Sequence, residues 1–268
     1  MPFAFIGFFL ATKSYNFEWV ILIYVVLCMI FARSAAMAFN RYIDRDIDSA
    51  NPRTAGTREI PKGIVKAKSA LIFVIINSFL FTVVTYFINS LCFLLSPIAL
   101  IIIIGYSYTK RFTALCHLIL GLGLALTPIG SYLAVSGKFN IVPLLFSIAV
   151  LFWVSGFDII YALQDEHFDK QRKLHSIPVL LGRARAIILS KLFHFLTFIT
   201  LIFSGFIGEF NNFYWIGFTF FSVLLFYQHT LVKENDISKV NLAFFTTNSI
   251  ASIIFGIFVI IDILIYII

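Results

Sequence analysis

Apolar runs follow one another along almost the whole chain, broken by short polar stretches. Reading each run up to its charged punctuation predicts spans at residues 2–11, 19–39, 67–88, 91–108, 114–135, 139–163, 186–207, 213–231 and 240–268. A helical span needs about 20 apolar residues. The run at 2–11 is therefore a half-span, or the latter part of a helix that starts upstream. No basic stretch precedes that run, so no leader peptide is expected. Helices are expected because a segment in lipid must satisfy its own backbone groups, and the runs lack the apolar/polar alternation of barrel strands. The predicted fold is all-α, a polytopic bundle of nine helices forming one membrane domain over residues 1–268.

Composition agrees with lipid as the solvent: 60% of the 268 residues are hydrophobic and 12% charged. The net charge of +7 does not point to nucleic acid, because the basic residues are scattered over short loops with no continuous surface to track phosphates. Their distribution orients the chain. Loops and flanking turns on one side hold 17 of the 20 Lys and Arg residues, Lys13 and Lys138 lie on the other side, and Arg33 falls inside a span. The positive-inside rule then puts the polar loops in the cytoplasm. Cys28, Cys92 and Cys116 lie in or beside apolar runs without metal-ligand spacing and are read as buried small side chains.

The two longest cytoplasmic stretches, residues 40–66 and 164–185, each begin in an acidic helix end. In the first, Asn40, Asp44 and Asp48 are spaced so that, at about 100° per residue, they share one helix face. Asp46 falls on the opposite side. Carboxylates crowded in this way repel one another unless a cation neutralises them. Mg²⁺ suits such a site because it takes hard oxygen ligands together with substrate phosphates. The alternative is a solvated acidic end paired with Arg41 and Arg45. In the second, Asp165 and Asp169 repeat the spacing, and Asp158 and Tyr161 lie deeper in the span. An intramembrane carboxylate is a functional candidate by default, whereas a tyrosine near the interface also serves as an anchor. Two acidic ends on one membrane face could clamp a diphosphate through two Mg²⁺ ions as it leaves a hydrophobic tail. Arg53, Arg58, Lys110 and Arg111 are the basic residues placed to hold that leaving group.

These motifs resemble the UbiA superfamily of intramembrane prenyltransferases. Asn40, Asp44 and Asp48 match its NxxxDxxxD motif, and Asp165 and Asp169 its DxxxD motif. Residues 51–55 (NPRTA) resemble its Arg-Thr signature, residues 106–113 (YSYTKRFT) its Lys-Arg loop, and Asp158, Tyr161 and Gln164 the lead-in to its second motif. The resemblance implies helices ringing a cavity, with the acidic motifs facing each other at its cytoplasmic end. Asn40, Asp44, Asp48, Asp165 and Asp169 would bind a polyprenyl diphosphate through Mg²⁺. Lys110 and Arg58 would contact the diphosphate, and Asp158 and Tyr161 would lie near the aromatic acceptor or the allylic cation. Residues 40–48 and 174–178 are most similar to the group acting on 4-hydroxybenzoate, and to its relatives prenylating 1,4-dihydroxy-6-naphthoate in the futalosine route to menaquinone. The chain departs from the pattern at its first helix, where residues 1–11 resemble only the latter half of the family's, and at three residues. Arg58 is one residue further from Arg53-Thr54 than in the family, Lys173 stands where Gly is common, and His175 where Lys is common.

A different class, an ion-coupled transporter, would use Asp158 and Asp262 as intramembrane ion ligands along a continuous polar pathway. The acidic residues gather instead at one membrane face, and Asp262 stands alone near the C-terminus as a structural or interfacial residue.

Overall fold

The computed structural model describes residues 1–265, so the last three residues of the ninth expected span lie outside the described residues. Every element of appreciable length is helical: α1 (Pro2–Ala11), α2 (Trp19–Ile43), α3 (Arg45–Ala50), α4 (Pro52–Ala55), α5 (Ala67–Ile88), α6 (Ser90–Thr109), α7 (Cys116–Ser136), α8 (Ile141–Ala162), α9 (Glu166–Gln171), α10 (Ile177–Leu181), α11 (Arg183–Ile207), α12 (Asn212–Leu231) and α13 (Asn248–Ile265). A 3₁₀ turn at Leu163–Asp165 joins α8 to α9, and a π-helical segment at Leu242–Thr247 leads into α13.

Helices stand at all nine expected places, but only seven of the described ones are long and apolar enough to cross a membrane. Helix α1 is too short. In α12 the polar residues Asn212, Gln228, His229 and Thr230 dilute the apolar content. The chain is an integral membrane protein. Large apolar side chains on α2, α5 and α6, among them Trp19, Ile75, Phe79 and Ile101, are exposed on its surface, where lipid replaces water as their solvent.

Packing divides into two connected groups. Helix α7 packs on α8, α8 on α11, and α1 bridges α7 and α13, while α2, α5 and α6 pack on one another and meet the first group through α6 and α7. The main core lies in the first group, where Phe3, Phe146, Tyr214, Phe221 and Phe255 are buried together. Helix α1 approaches α7 so closely that a Cβ at Gly7 would lie 2.1 Å from the Pro128 carbonyl oxygen, which only glycine accommodates.

Buried polar groups fix the remaining helices. Trp153 Nε1 donates to Asn248 Oδ1 (3.0 Å), and the Asn248 amide donates to the carbonyls of Ala243 (3.0 Å) and Phe244 (2.9 Å), which the π-helical geometry frees. Asp262, 1% exposed, accepts the backbone N–H groups of Asn211 (3.0 Å) and Tyr214 (3.2 Å). A carboxylate from α13 thereby caps the N-terminus of α12, a structural task that removes it as an ion ligand. Asp262→Ala leaves both N–H groups unpaired. It is expected to destabilise the bundle by about 2–4 kcal/mol, with Asp262→Asn intermediate, as measured by unfolding in mixed micelles.

Candidate functional site at the acidic helix ends

Helix α2 runs to Ile43, past the expected end of its span, and its axis is interrupted at Asp44 (φ −92°, ψ 7°) before α3 begins. The stripe of Asn40, Asp44 and Asp48 expected on one helix face thus crosses a break between two helices. The four-residue backbone bonds persist across the kink, from the Asp44 N–H to the Asn40 carbonyl (3.0 Å) and from the Asp48 N–H to the Asp44 carbonyl (2.7 Å). Asn40 Nδ2 donates to Asp44 Oδ2 (3.0 Å). Asp48 is buried, with Oδ2 lacking a partner, whereas Asp46 points outward with its side chain 83% exposed. Thr54 Oγ1 donates to the Asp48 carbonyl (2.9 Å) and folds α4 back onto α3. Arg41 donates to Asn40 Oδ1 (2.8 Å) and lies 3.9 Å from Glu59, and Arg45 lies 3.9 Å from Asp46. The acidic stripe is therefore not neutralised by ion pairs to the arginines beside it in sequence.

Its charge partners come from elsewhere in the fold. Arg111 Nη2 donates to the Ile43 carbonyl (2.6 Å), capping α2, and reaches Asp44 Oδ1 (3.3 Å). The second segment tightens into the 3₁₀ turn and places Asp165 against the first. Asp165 Oδ1 accepts from Asn51 Nδ2 (2.9 Å) and Arg53 Nε (2.9 Å), and Arg53 Nη2 pairs with Oδ2. Arg53 Nη1 also donates to the Tyr161 hydroxyl oxygen (3.0 Å), its guanidinium 5.3 Å from that ring's centre. Asp169, fully buried, is ion-paired to Lys110 Nζ (2.8 Å) and has Oδ2 unpartnered. Lys110 lies within electrostatic reach of Asp44, Asp48, Asp165 and Asp169 together. The two acidic ends thus converge on one cluster, with cations contributed by α4 and by the loop after α6.

Burial pushes the Asp44 carboxyl up to about 6, against the opposing pull of Arg111 and Lys110. Burial also raises Asp48. It works against the charge of Lys110, but Asp169 and the other carboxylates hold that ammonium above its ordinary value.

Arg58 stands apart from this network. It follows α4 with Nε buried and unpartnered among the described residues, and makes no ion pair there. Asp158 lies away from the ion-pair cluster, its Oδ2 2.6 Å from His117 Nδ1. His117, 3% exposed in the first turn of α7, carries no sequence signal because it is a lone histidine at the head of an apolar run. Asn51, in sequence only the first residue of the NPRTA signature, both caps α4 and holds Asp165. Lys173 takes φ 55°, a left-handed backbone suited to the glycine common there in the resembling family.

A family model, the UbiA prenyltransferase family, matches residues 1–250. The chain belongs to the UbiA prenyltransferase family. A 4-hydroxybenzoate octaprenyltransferase of Francisella tularensis subsp. mediasiatica is 31% identical over 241 residues, covering 89% of this chain and 84% of the relative. Another 4-hydroxybenzoate octaprenyltransferase, from Aeromonas hydrophila, is 29% identical over 89% of this chain and 82% of its own length. Among solved structures, a UbiA homologue from Aeropyrum pernix K1 superposes with a TM-score of 0.88 at 30% identity, covering 97% of this chain and 95% of that one. A UbiA homologue from Archaeoglobus fulgidus bound to GPP and Mg²⁺ shares the fold, with a TM-score of 0.68 at 21% identity over 97% and 96% of the two chains. As a UbiA family member the protein is a prenyltransferase.

The donors of this UbiA site fit a hard divalent cation. Four carboxylates and Asn40 supply only oxygen ligands, and Asp48 Oδ2 and Asp169 Oδ2 are buried acceptors without a donor. As the side chains stand, no three His, Cys, Asp or Glu among the described residues meet closely enough to hold an ion, and Arg53 and Lys110 lie against Asp165 and Asp169.

Two outcomes are expected. Asp44 binds its proton more tightly folded than unfolded, so without added metal stability falls as pH rises from its ordinary 3.8 to about 6. Asp44→Asn is expected to flatten that slope in melting curves taken across the window. Lys173→Gly relieves a left-handed residue and is expected to raise stability by about 1 kcal/mol, read as a higher melting temperature.

Proposed function

We propose that this prenyltransferase moves a polyprenyl group from an allylic prenyl diphosphate to an aromatic quinone precursor, 4-hydroxybenzoate, in a bacterial inner membrane with the acidic loops facing the cytoplasm. The observation carrying the reading is the gathering of Asp44, Asp48, Asp165 and Asp169 within electrostatic reach of Lys110, with Arg53 crossing between the segments and Arg111 reaching Asp44 from the loop after α6. A cluster of alternating charge suits a diphosphate held between cations and metal-bound carboxylates. The names of the similar octaprenyltransferases support the acceptor, and the cytoplasmic basic loops support the orientation.

In this reading Asn40, Asp44, Asp48, Asp165 and Asp169 hold Mg²⁺, which supplies the positive charge that neutralises the departing pyrophosphate. Lys110, Arg53 and Arg111 take the diphosphate oxygens as charge accumulates on them. The allylic C–O bond breaks with its electron pair going to the diphosphate. The acceptor carbon ortho to the phenol then attacks the allylic carbon and loses its proton. The hydroxyl already activates the ring, so the main tasks of the protein are ionisation and positioning. The Tyr161 ring lies beside Arg53 and stacks on Phe244 at 4.2 Å between centroids. It therefore presents an aromatic wall next to the diphosphate pole, suited to an allylic cation.

The test uses the full chain in lipid nanodiscs with an all-trans polyprenyl diphosphate, Mg²⁺, and either 4-hydroxybenzoate or 1,4-dihydroxy-6-naphthoate, with products identified by mass. Prenylated 4-hydroxybenzoate that disappears on chelation is expected. Asp44→Ala and Asp165→Ala are each expected to lower turnover by on the order of 100-fold or more while inserting normally. Full turnover in either variant overturns the clamp, and product only from the naphthoate overturns the acceptor.

A further inference from the structure

The prenyl transfer proposed above requires a group that takes the proton released by the acceptor ring, and the carboxylates of the ion-pair cluster are assigned in that reading to Mg²⁺ and the basic residues. Asp158 is the acidic residue of the α8 end outside that cluster. Its side chain is 21% exposed, only Oδ2 is engaged by a side chain, and Tyr106 lies within electrostatic reach of both Asp158 and Asp44. Oδ1 is therefore open, without a side-chain partner among the described residues.

His117 holds the other oxygen, and its position is fixed at three points. Nδ1 is 2.6 Å from Asp158 Oδ2, Nε2 accepts the Ile177 backbone N–H at 3.3 Å, and the His117 carbonyl accepts from Ser155 Oγ at 3.1 Å. A backbone N–H can only donate, so Nε2 carries the lone pair and the ring proton of the neutral imidazole sits on Nδ1, aimed at Asp158. The same ring spans α7, α8 and the start of α10. The loop before α10 is in turn tied to the diphosphate pole, because the His175 N–H donates to the Lys110 carbonyl at 2.8 Å.

We propose that His117 is a positioning residue for the acceptor half of the reaction: through its Nδ1–H it orients Asp158 so that Oδ1 receives the ring proton. The proposal rests on the functional reading above. As the allylic C–O bond breaks, its pair leaves with the diphosphate. A π pair of the ring forms the new C–C bond, the C–H pair restores the aromatic ring, and the proton goes to Asp158 Oδ1. No external oxidant or reductant is needed.

Two substitutions separate positioning from mere support. In His117→Asn the side-chain amide nitrogen overlies the place of Nδ1 and keeps the donor to Asp158, losing the contact to Ile177. In His117→Gln the terminal amide overlies the place of Nε2 and keeps the contact to Ile177, losing the donor. With wild type, both variants and Asp158→Asn assayed on a polyprenyl diphosphate and 4-hydroxybenzoate, His117→Gln and Asp158→Asn are expected to lose on the order of 100-fold in kcat at unchanged KM for the prenyl diphosphate. His117→Asn is expected to keep most of the wild-type kcat. If His117→Gln matches or exceeds His117→Asn while wild type is active, His117 is a loop anchor and the proposal fails alone. If neither His117 variant folds, Asp158→Asn decides it, because wild-type kcat there overturns the proton acceptor. No product from wild type with any aromatic acceptor overturns the functional reading and this inference together.

Discussion

The bidentate contact of Arg53 with Asp165, reinforced by Asn51, is the interaction on which the architecture of the acidic helix ends depends. Four carboxylates gathered at one mouth of a lipid-embedded bundle repel strongly in a medium of low dielectric. They can be held there only if positive charge is delivered among them. The fold delivers it crosswise. Arg53 leaves the first acidic segment to meet the second, and Arg111 and Lys110, neighbours on one loop, divide between Asp44 and Asp169. Each segment is therefore neutralised by something outside itself, and the two helix ends cannot separate without exposing unpaired charge.

Backbone contacts carry the same connection inward. The loop after α6 is bound to the loop before α10 through the Lys110 carbonyl, and that second loop reaches the head of α7 through Ile177 and His117. The ammonium among the carboxylates and the imidazole beside Asp158 are thus two ends of one short path of hydrogen bonds. A cluster built this way is stiff where charge must be placed, while helices α2, α5 and α6 present mostly apolar side chains to lipid.

Much of this was legible in the residues alone. The all-helical membrane fold followed from run length, and the four-residue spacing of Asn40, Asp44 and Asp48 survives the kink because the backbone bonds bridge it. Three things were not legible. The kink itself falls at Asp44, which ends one helix and precedes the next without a side-chain cap, and no spacing reveals it. His117 has no partner nearby in sequence, since Asp158 and Ile177 reach it only when α7, α8 and α10 pack. Arg58 and Arg53 look equivalent as basic residues after the first motif, and only the fold of α3 and α4 turns one toward Asp165 and leaves the other outside the network.

The π-helical stretch Leu242–Thr247 acts as a register gauge for the C-terminal helix. Its wider turn accommodates one residue more than an α-helix would over the same rise. Removing a single residue there would let the segment close into a regular α-helix with the residues after it kept in phase. The carbonyls of Ala243 and Phe244 would be taken up by that helix and lost to Asn248, while Asp262 would keep its place at the start of α12. Of the two polar locks on this helix, only the nearer one depends on the irregular turn.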